Sequence, residues 1–323
     1  MFNNNAKFII SIFIYIYLIY GSNYAISQIY PTRAIRIVTS DVGGSADIGA
    51  RILAQGISSS LGKQVIIENK GSGVIPGETV SRALPDGYTL LFFGGTFWLQ
   101  PQLRLNVSYD PILDFSPITL VFNSPSILVA HPTLPVNSVN DLISLAKSRP
   151  GQLNYGMGSS GSTNHLAAEL FKNMANVNII GIPYRGNGPA VNGLLSNQVQ
   201  IMFATAMSVI PQIKSGRLKA LAVASAKPTQ LAPGLPTISD SGLPGYESIS
   251  SVGFFAPAKT PLSVIKKLNY ESVKFLNSSD GKEKYLQIGS ETVGSTSEEL
   301  SSIVKSEINR MSLVIKSANI KAE

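Results

Sequence analysis

The eleven residues Tyr155-Gly156-Met157-Gly158-Ser159-Ser160-Gly161-Ser162-Thr163-Asn164-His165 constrain the fold more than any other stretch. An extended run, Gln152 to Tyr155, leads into them. Leu166, Leu170, Phe171 and Met174 follow at the spacing of one apolar helix face. The segment reads as strand, small-residue loop and helix start, with Ser162 or Thr163 in position to cap the helix. Loop N–H groups, hydroxyls and the positive end of the helix dipole then converge on one spot, which suits an anion. The alternative is a solvated βα loop of small residues.

The same grammar recurs upstream. Ile35 to Ser40 reads as a buried strand, Asp41-Val42-Gly43-Gly44-Ser45 as a turn, and Asp47 to Leu61 as a helix closed by Gly62. Val65 to Glu68 completes a βαβ unit whose turn is not GxGxxG, so it carries no dinucleotide signature. Glu78 to Ala83 reads as helical, and Tyr88 to Phe93 as a strand ending in Gly94-Gly95-Thr96. Ile118 to Phe122 and Ile127 to Ala130 are candidate strands in a stretch punctuated by Pro111, Pro117 and Pro125. Val139 to Lys147 is an amphipathic helix. Strands at Ile179 to Ile182, Val199 to Phe203 and Leu218 to Ala224 alternate with helices at Ala190 to Leu195 and up to Ser215-Gly216. A Pro/Gly-rich segment, Pro228 to Tyr246, leads to the strand Val252 to Ala256, and helices Pro261 to Leu276 and Ser297 to Lys316 finish the chain. This pattern predicts an α/β fold with mainly parallel sheets, in two lobes with a cleft between them. Ligands in such sheets sit beyond the carboxyl ends of the strands.

Composition removes whole classes of chemistry. The chain has 323 residues and no cysteine, so disulfides, thiolate metal sites and cysteine nucleophiles are excluded. Its two histidines, His131 and His165, cannot build a multi-histidine metal centre. The net charge of +7 comes from scattered residues without a basic run or nucleic-acid motif, so no nucleic-acid partner is expected. Residues 1–27 read as an export signal: Lys7, a mainly apolar run from Phe8 to Tyr20, then Ala25-Ile26-Ser27 as a small-x-small junction. Thirteen residues are too few to span a bilayer comfortably. An uncleaved anchor is the alternative.

Several side chains are candidates for chemistry. His165 lacks a triad partner, and no Gly-x-Ser-x-Gly elbow precedes it. A neutral, loop-holding histidine suits a helix N-terminus better than a cation. His131 reads as structural. Asp47 suits the start of its helix. Arg185, between Tyr184 and Gly186 at a strand end, is the best single cation for a carboxylate, against the alternative of a surface arginine.

Motifs in order along the chain resemble one family. They are Tyr30-Pro31-Thr32-Arg33-Ala34-Ile35-Arg36, Gly43-Gly44-Ser45-Ala46-Asp47, Leu84-Pro85-Asp86-Gly87-Tyr88-Thr89-Leu90 and Tyr109-Asp110-Pro111. Asn154-Tyr155 through Ala167, Pro183-Tyr184-Arg185-Gly186 and Leu243-Pro244-Gly245-Tyr246 continue the run. Over residues 30–320 the chain resembles the Bug family of tripartite tricarboxylate transporter substrate-binding proteins. The resemblance implies a periplasmic, two-lobed type II (Venus-flytrap) binding protein with mixed, mainly parallel sheets. Lobe one would be 30–127 plus 252–323 and lobe two 128–251, with crossings at Ser124 to Val129 and Ser248 to Phe254.

The family's carboxylate-gripping loops fall on Asp41 to Asp47 and Gly158 to His165. The expected site is therefore Val42, Gly43, Gly44, Ser45, Asp47, Gly95, Thr96, Ser160, Ser162, Thr163, His165, Tyr184, Arg185, Gly186 and Thr205. Ser40 and Val42 stand where the family carries an aromatic and a proline, and Ala204 where it carries an Asp. The missing Asp predicts a mono- or dicarboxylate without an α-amino group, unless Asp41 supplies the acceptor. The implied function is delivery of a small carboxylate to the membrane subunits of such a transporter, by a monomer without cofactor, metal or catalysis. Presentation of ligand to a signalling receptor and hydrolysis through His165 are the alternatives.

Overall fold

The computed structural model describes residues 30–71, 73–158 and 160–321. The expected export signal at 1–27, with its Ala25-Ile26-Ser27 junction, lies outside the described residues. The first third of the chain builds three strands, β1 (Ile35–Thr39), β2 (Val65–Asn69) and β3 (Thr89–Gly94), parallel in the order β2-β1-β3. Helices α1 (Ser45–Leu61), α2 (Ile75–Ser81) and α3 (Thr96–Leu103) follow them in turn. Only Arg36 of β1 is exposed, as expected of a strand covered on both faces. Gly62 ends α1 at φ 65°, the left-handed conformation that glycine adopts without penalty. Gly49 lets α1 lie close to the sheet: a Cβ there would stand 2.5 Å from the Phe122 ring.

α3 was not legible as a helix, because Pro101 sits inside it. Its place is secured by burial. Phe97 and Trp98 are almost inaccessible, and Phe97 stacks on Tyr109 at 5.1 Å and meets Phe115 edge-on at 4.8 Å. Aromatic pairs of this kind add about 0.5–1.5 kcal/mol beyond burial itself.

The remaining elements are β4 (Phe115–Ala130), α4 (Val139–Ser148), β5 (Asn154–Met157), α5 (Thr163–Ala175), β6 (Ile180–Pro183), α6 (Asn187–Leu195) and β7 (Ile201–Thr205). They continue with α7 (Ala206–Lys214), β8 (Lys219–Val223), β9 (Ile249–Pro257), α8 (Leu262–Asn277), α9 (Ser279–Gln287), β10 (Glu291–Thr292) and α10 (Ser297–Ser317). The two short strands expected around Pro125 are one strand of 16 residues. Its prolines fall where a missing N–H is tolerated. The register against β9 shifts beside Pro117, and Pro125 is the last residue of that ladder, where β4 changes partners. Beyond it, β4 pairs with β7 and β8.

The strands form one sheet ordered β2-β1-β3-β9-β4-β7-β5-β6, with β8 and β10 also on β4. It is mixed, and the expectation of mainly parallel pairing is corrected. Among the described residues β4 runs antiparallel to β7, β8, β9 and β10, and β9 antiparallel to β3. Among the described residues the parallel strand pairs are β2-β1-β3 and β7-β5-β6, with one isolated parallel bridge from Val223 to Thr237. The long return through β4 and β9 crosses both parallel groups and reverses direction against each. α10 packs on β4 and touches both α3 and α5, so the last helix joins elements far apart in sequence.

Candidate functional site

Three strand ends meet at one cavity of about 370 Å³. β1 runs into α1, β3 into α3 and β5 into α5. From these turns Gly44, Ser45, Gly95, Thr96, Ser160, Ser162 and Thr163 line the cavity, joined by Ser40 and by Ser250 and Val252 of β9. No side chain caps α1, α3 or α5 at Gly44, Gly95 or Ser162. Ser138, Ser278 and Thr296 do cap α4, α9 and α10. First-turn N–H groups have no backbone acceptor within their own helix, though at α5 Asn164 Oδ1 accepts the His165 N–H at 3.2 Å, and each helix start carries roughly half a positive charge. Three such starts around one small volume favour an anion.

The loops are braced from within. Asp47, almost fully buried, accepts the Gly43 N–H at 2.9 Å and the Asn69 amide at 2.8 Å and pairs with Arg51 at 2.9 Å. Burial opposes its charge, but the bonds from Gly43, Arg51 and Asn69 outweigh it and hold the carboxyl below its usual range. Asp47 therefore shapes the turn and does not line the cavity. Val42 is 76% exposed at the tip of that turn, and Gly43 adopts φ 84° beside it.

The second loop is braced by Asn164 and His165. Asn164 Oδ1 accepts the Ser162 hydroxyl at 2.6 Å, and its amide donates to Asn187 Oδ1 at 3.1 Å. Ser162 thus occupies the N-cap position without capping. His165 Nδ1 accepts the Gly161 N–H at 3.0 Å, which leaves its proton on Nε2, and the ring stacks on Tyr155. Burial holds the imidazole below its usual range; Glu169 opposes this and Lys172 adds to it. The neutral ring is the one the fold uses. Its contribution is present above about pH 6.5, the ordinary histidine value, and is lost as pH falls through the lowered folded value. His165→Ala is expected to cost about 1 kcal/mol and to weaken ligand binding about tenfold. His165→Asn, whose Oδ1 can accept the same N–H, is expected to retain most of both. Paired thermal melts and calorimetry check this, and equal losses in the two variants would contradict it.

Tyr184, Arg185, Gly186 and Thr205 are not brought to the cavity. Gly186 donates its N–H to Gly158 O at 3.3 Å, so this turn supports the α5 loop from outside. The Tyr184 ring packs against Gly193, and its hydroxyl donates to Gln198 at 3.2 Å. Arg185 is exposed. Thr205 starts α7 and bonds Ser208. Ala204 is buried with Ile127, Val129 and Met202 in an apolar cluster and does not line the cavity.

Arg104 was missed. It follows α3, lines the cavity, and donates Nε–H to Gln100 Oε1 at 3.0 Å. Nothing local marks it, since it lies in an irregular segment after an unforeseen helix. Among the described residues the lining contains this one guanidinium and no Asp or Glu. An arrangement of hydrogen-bond donors at three strand ends suits a protein that binds an anionic solute.

Comparison with known proteins specifies which kind. The family profile described as "Tripartite tricarboxylate transporter family receptor" matches residues 49–320, and the chain belongs to that family of periplasmic solute-binding proteins. Protein BugT of Bordetella pertussis is 33% identical over 297 residues, covering 90% of this chain and 91% of BugT. The structure of R. palustris Rpa4515 with adipate superposes with a TM-score of 0.77 at 35% identity, over 90% of this chain and 99% of that one. MatC from Rhodopseudomonas palustris with bound malate superposes at 0.73 and 28% identity, over 88% of this chain and all of MatC.

Proposed function

We propose that the cleft captures a small mono- or dicarboxylate without an α-amino group and delivers it, from the periplasm, to the membrane subunits of a tripartite tricarboxylate-type transporter. The observation that carries this reading is the lining: three uncapped helix starts, several hydroxyls, one guanidinium and no described carboxylate. An ammonium buried there would lack an acidic partner, which is strongly unfavourable. Asp41 is exposed and is not among the residues that line the cleft. The adipate and malate bound in two similar structures are acids of the proposed class. Export by residues 1–27, leaving a mature start at Gln28, would bring the protein to the periplasm.

Capture would involve two lobes, 30–127 with 252–323 and 128–251. The change of partners along β4 after Pro125 supports this division, because the crossings at 124–129 and 248–254 are the segments able to flex. The starts of α1 and α3 belong to one lobe and that of α5 to the other, so an anion between them would favour the closed form. Calorimetry with succinate, adipate, an aromatic carboxylate, aspartate and glutamate tests the chemistry. Binding of an unsubstituted carboxylate with weak or no binding of the amino acids is expected. Tight binding of aspartate or glutamate would overturn the ligand class. X-ray scattering should show a smaller radius at ligand saturation.

A further inference from the structure

We infer that Arg104 makes this site prefer dianions, by pairing with the ligand's second carboxylate where the cleft meets a neighbouring cavity. The inference rests on the carboxylate reading above and goes beyond it by naming the discriminating residue. Arg104 lines both the 370 Å³ cleft and an adjoining cavity of about 610 Å³; among the described residues it shares that position only with Leu103. The second cavity is walled in part by Leu105, Ile315 and Ile320 and also contains no described Asp or Glu. A guanidinium therefore stands at the junction of two acid-free spaces. No described carboxylate lies within ion-pair distance of it.

The group is also held in place. Gln100, one turn earlier and almost fully buried, accepts the Arg104 backbone N–H at 2.9 Å and its Nε–H at 3.0 Å. Both bonds are made by one residue of α3, the helix whose first residue, Thr96, faces the same cleft. Helix starts and guanidinium are thus fixed on one element. A carboxylate at the helix starts would leave the other end of a diacid free to reach Arg104, whose planar fork matches a carboxylate in two parallel hydrogen bonds. A monocarboxylate of the same length would place a methyl group there and gain no such pair.

The test compares adipate with hexanoate, equal in length and different in one terminus. In wild type, adipate is expected to bind at least tenfold more tightly. Arg104→Gln should abolish that ratio by weakening adipate far more than hexanoate, with the melting temperature near wild type. Arg104→Lys, which keeps the charge but not the fork, should fall between. Lys316→Gln, in the second cavity, should leave the ratio unchanged. An Arg104→Gln protein that keeps the wild-type ratio, or a ratio lost through Lys316 instead, overturns this inference alone. A folded wild type that binds neither acid nor any other carboxylate overturns the function proposed above and this inference with it. If Arg104→Gln does not fold, the lysine variant and the salt dependence of the wild-type ratio decide. A dianion preference that does not weaken with salt contradicts the ion pair.

Discussion

Thr163→Asp is expected to abolish capture of adipate or succinate while leaving the fold as stable as before or slightly more so. Thr163 is the first residue of α5 and lines the cleft. A carboxylate in the first turn of a helix interacts favourably with the dipole, by about 0.3–1 kcal/mol. Toward an anionic ligand its effect reverses. Two unit charges about 4 Å apart at an effective dielectric near 20 repel by about 4 kcal/mol, which corresponds to a loss of two to three orders of magnitude in affinity. Thr163→Asn, similar in size and neutral, should stay within about tenfold of wild type by the same reckoning. Calorimetry and thermal melts on the two variants separate charge from packing. Undiminished binding by Thr163→Asp would mean that the anion does not sit at this helix start.

The second large effect concerns Glu307 and pH. Glu307 on α10 accepts the Trp98 Nε1–H at 3.0 Å, tying the last helix to α3, more than 200 residues earlier. Burial pushes its carboxyl up to about 7, and nearby Glu247 adds to this; Arg310 and the Trp98 bond pull the other way. A carboxyl raised in the folded state binds more protons there than in the unfolded chain. Stability therefore falls as pH rises from about 4.5, the ordinary value, to about 7, and levels off above. At roughly 1.4 kcal/mol per unit, the upper limit of the loss is about 3 kcal/mol. Glu307→Gln can still accept the indole N–H and carries no charge. It should be more stable than wild type at pH 8, closer to it at pH 5, and flatter between. Urea denaturation of both proteins at the two pH values checks this, and parallel profiles would assign the slope to other groups.

Much of the site could be read locally. The turns after β1, β3 and β5 announce themselves by glycine and hydroxyl residues between an apolar run and a helix, because a helix start needs small, hydrogen-bonding residues whatever surrounds it. Gly44, Ser45, Gly95, Thr96, Ser160, Ser162 and Thr163 all line one cavity. Arg185 shows the limit of that reasoning. It sits at a strand end beside a glycine, as a ligand-binding arginine would, yet it is exposed and does not line that cavity. The cation that faces the cleft is Arg104, in a segment with no periodicity to interpret. Ala204, where the family carries an Asp, is buried in an apolar cluster with Ile127 and Met202 and does not line that cavity. The absence of described acids from the cleft carries the argument instead.

Local spacing alone therefore determined the α/β class, most strand and helix positions and the donor-rich character of the turns. These depend on interactions within a few residues, which sequence records directly. The unbroken β4, the antiparallel crossing through β9, the helix around Pro101 and the placing of Arg104 and Glu307 were decided only by tertiary structure. Pro117 and Pro125 interrupt a strand in isolation, and Pro101 interrupts a helix. The partners that compensate, β9 for β4 and Tyr109, Phe115 and α10 for α3, are brought in by pairing and burial across the chain. Which way a side chain faces follows from that long-range pairing, because the energy that fixes it is shared between residues that are not neighbours in sequence.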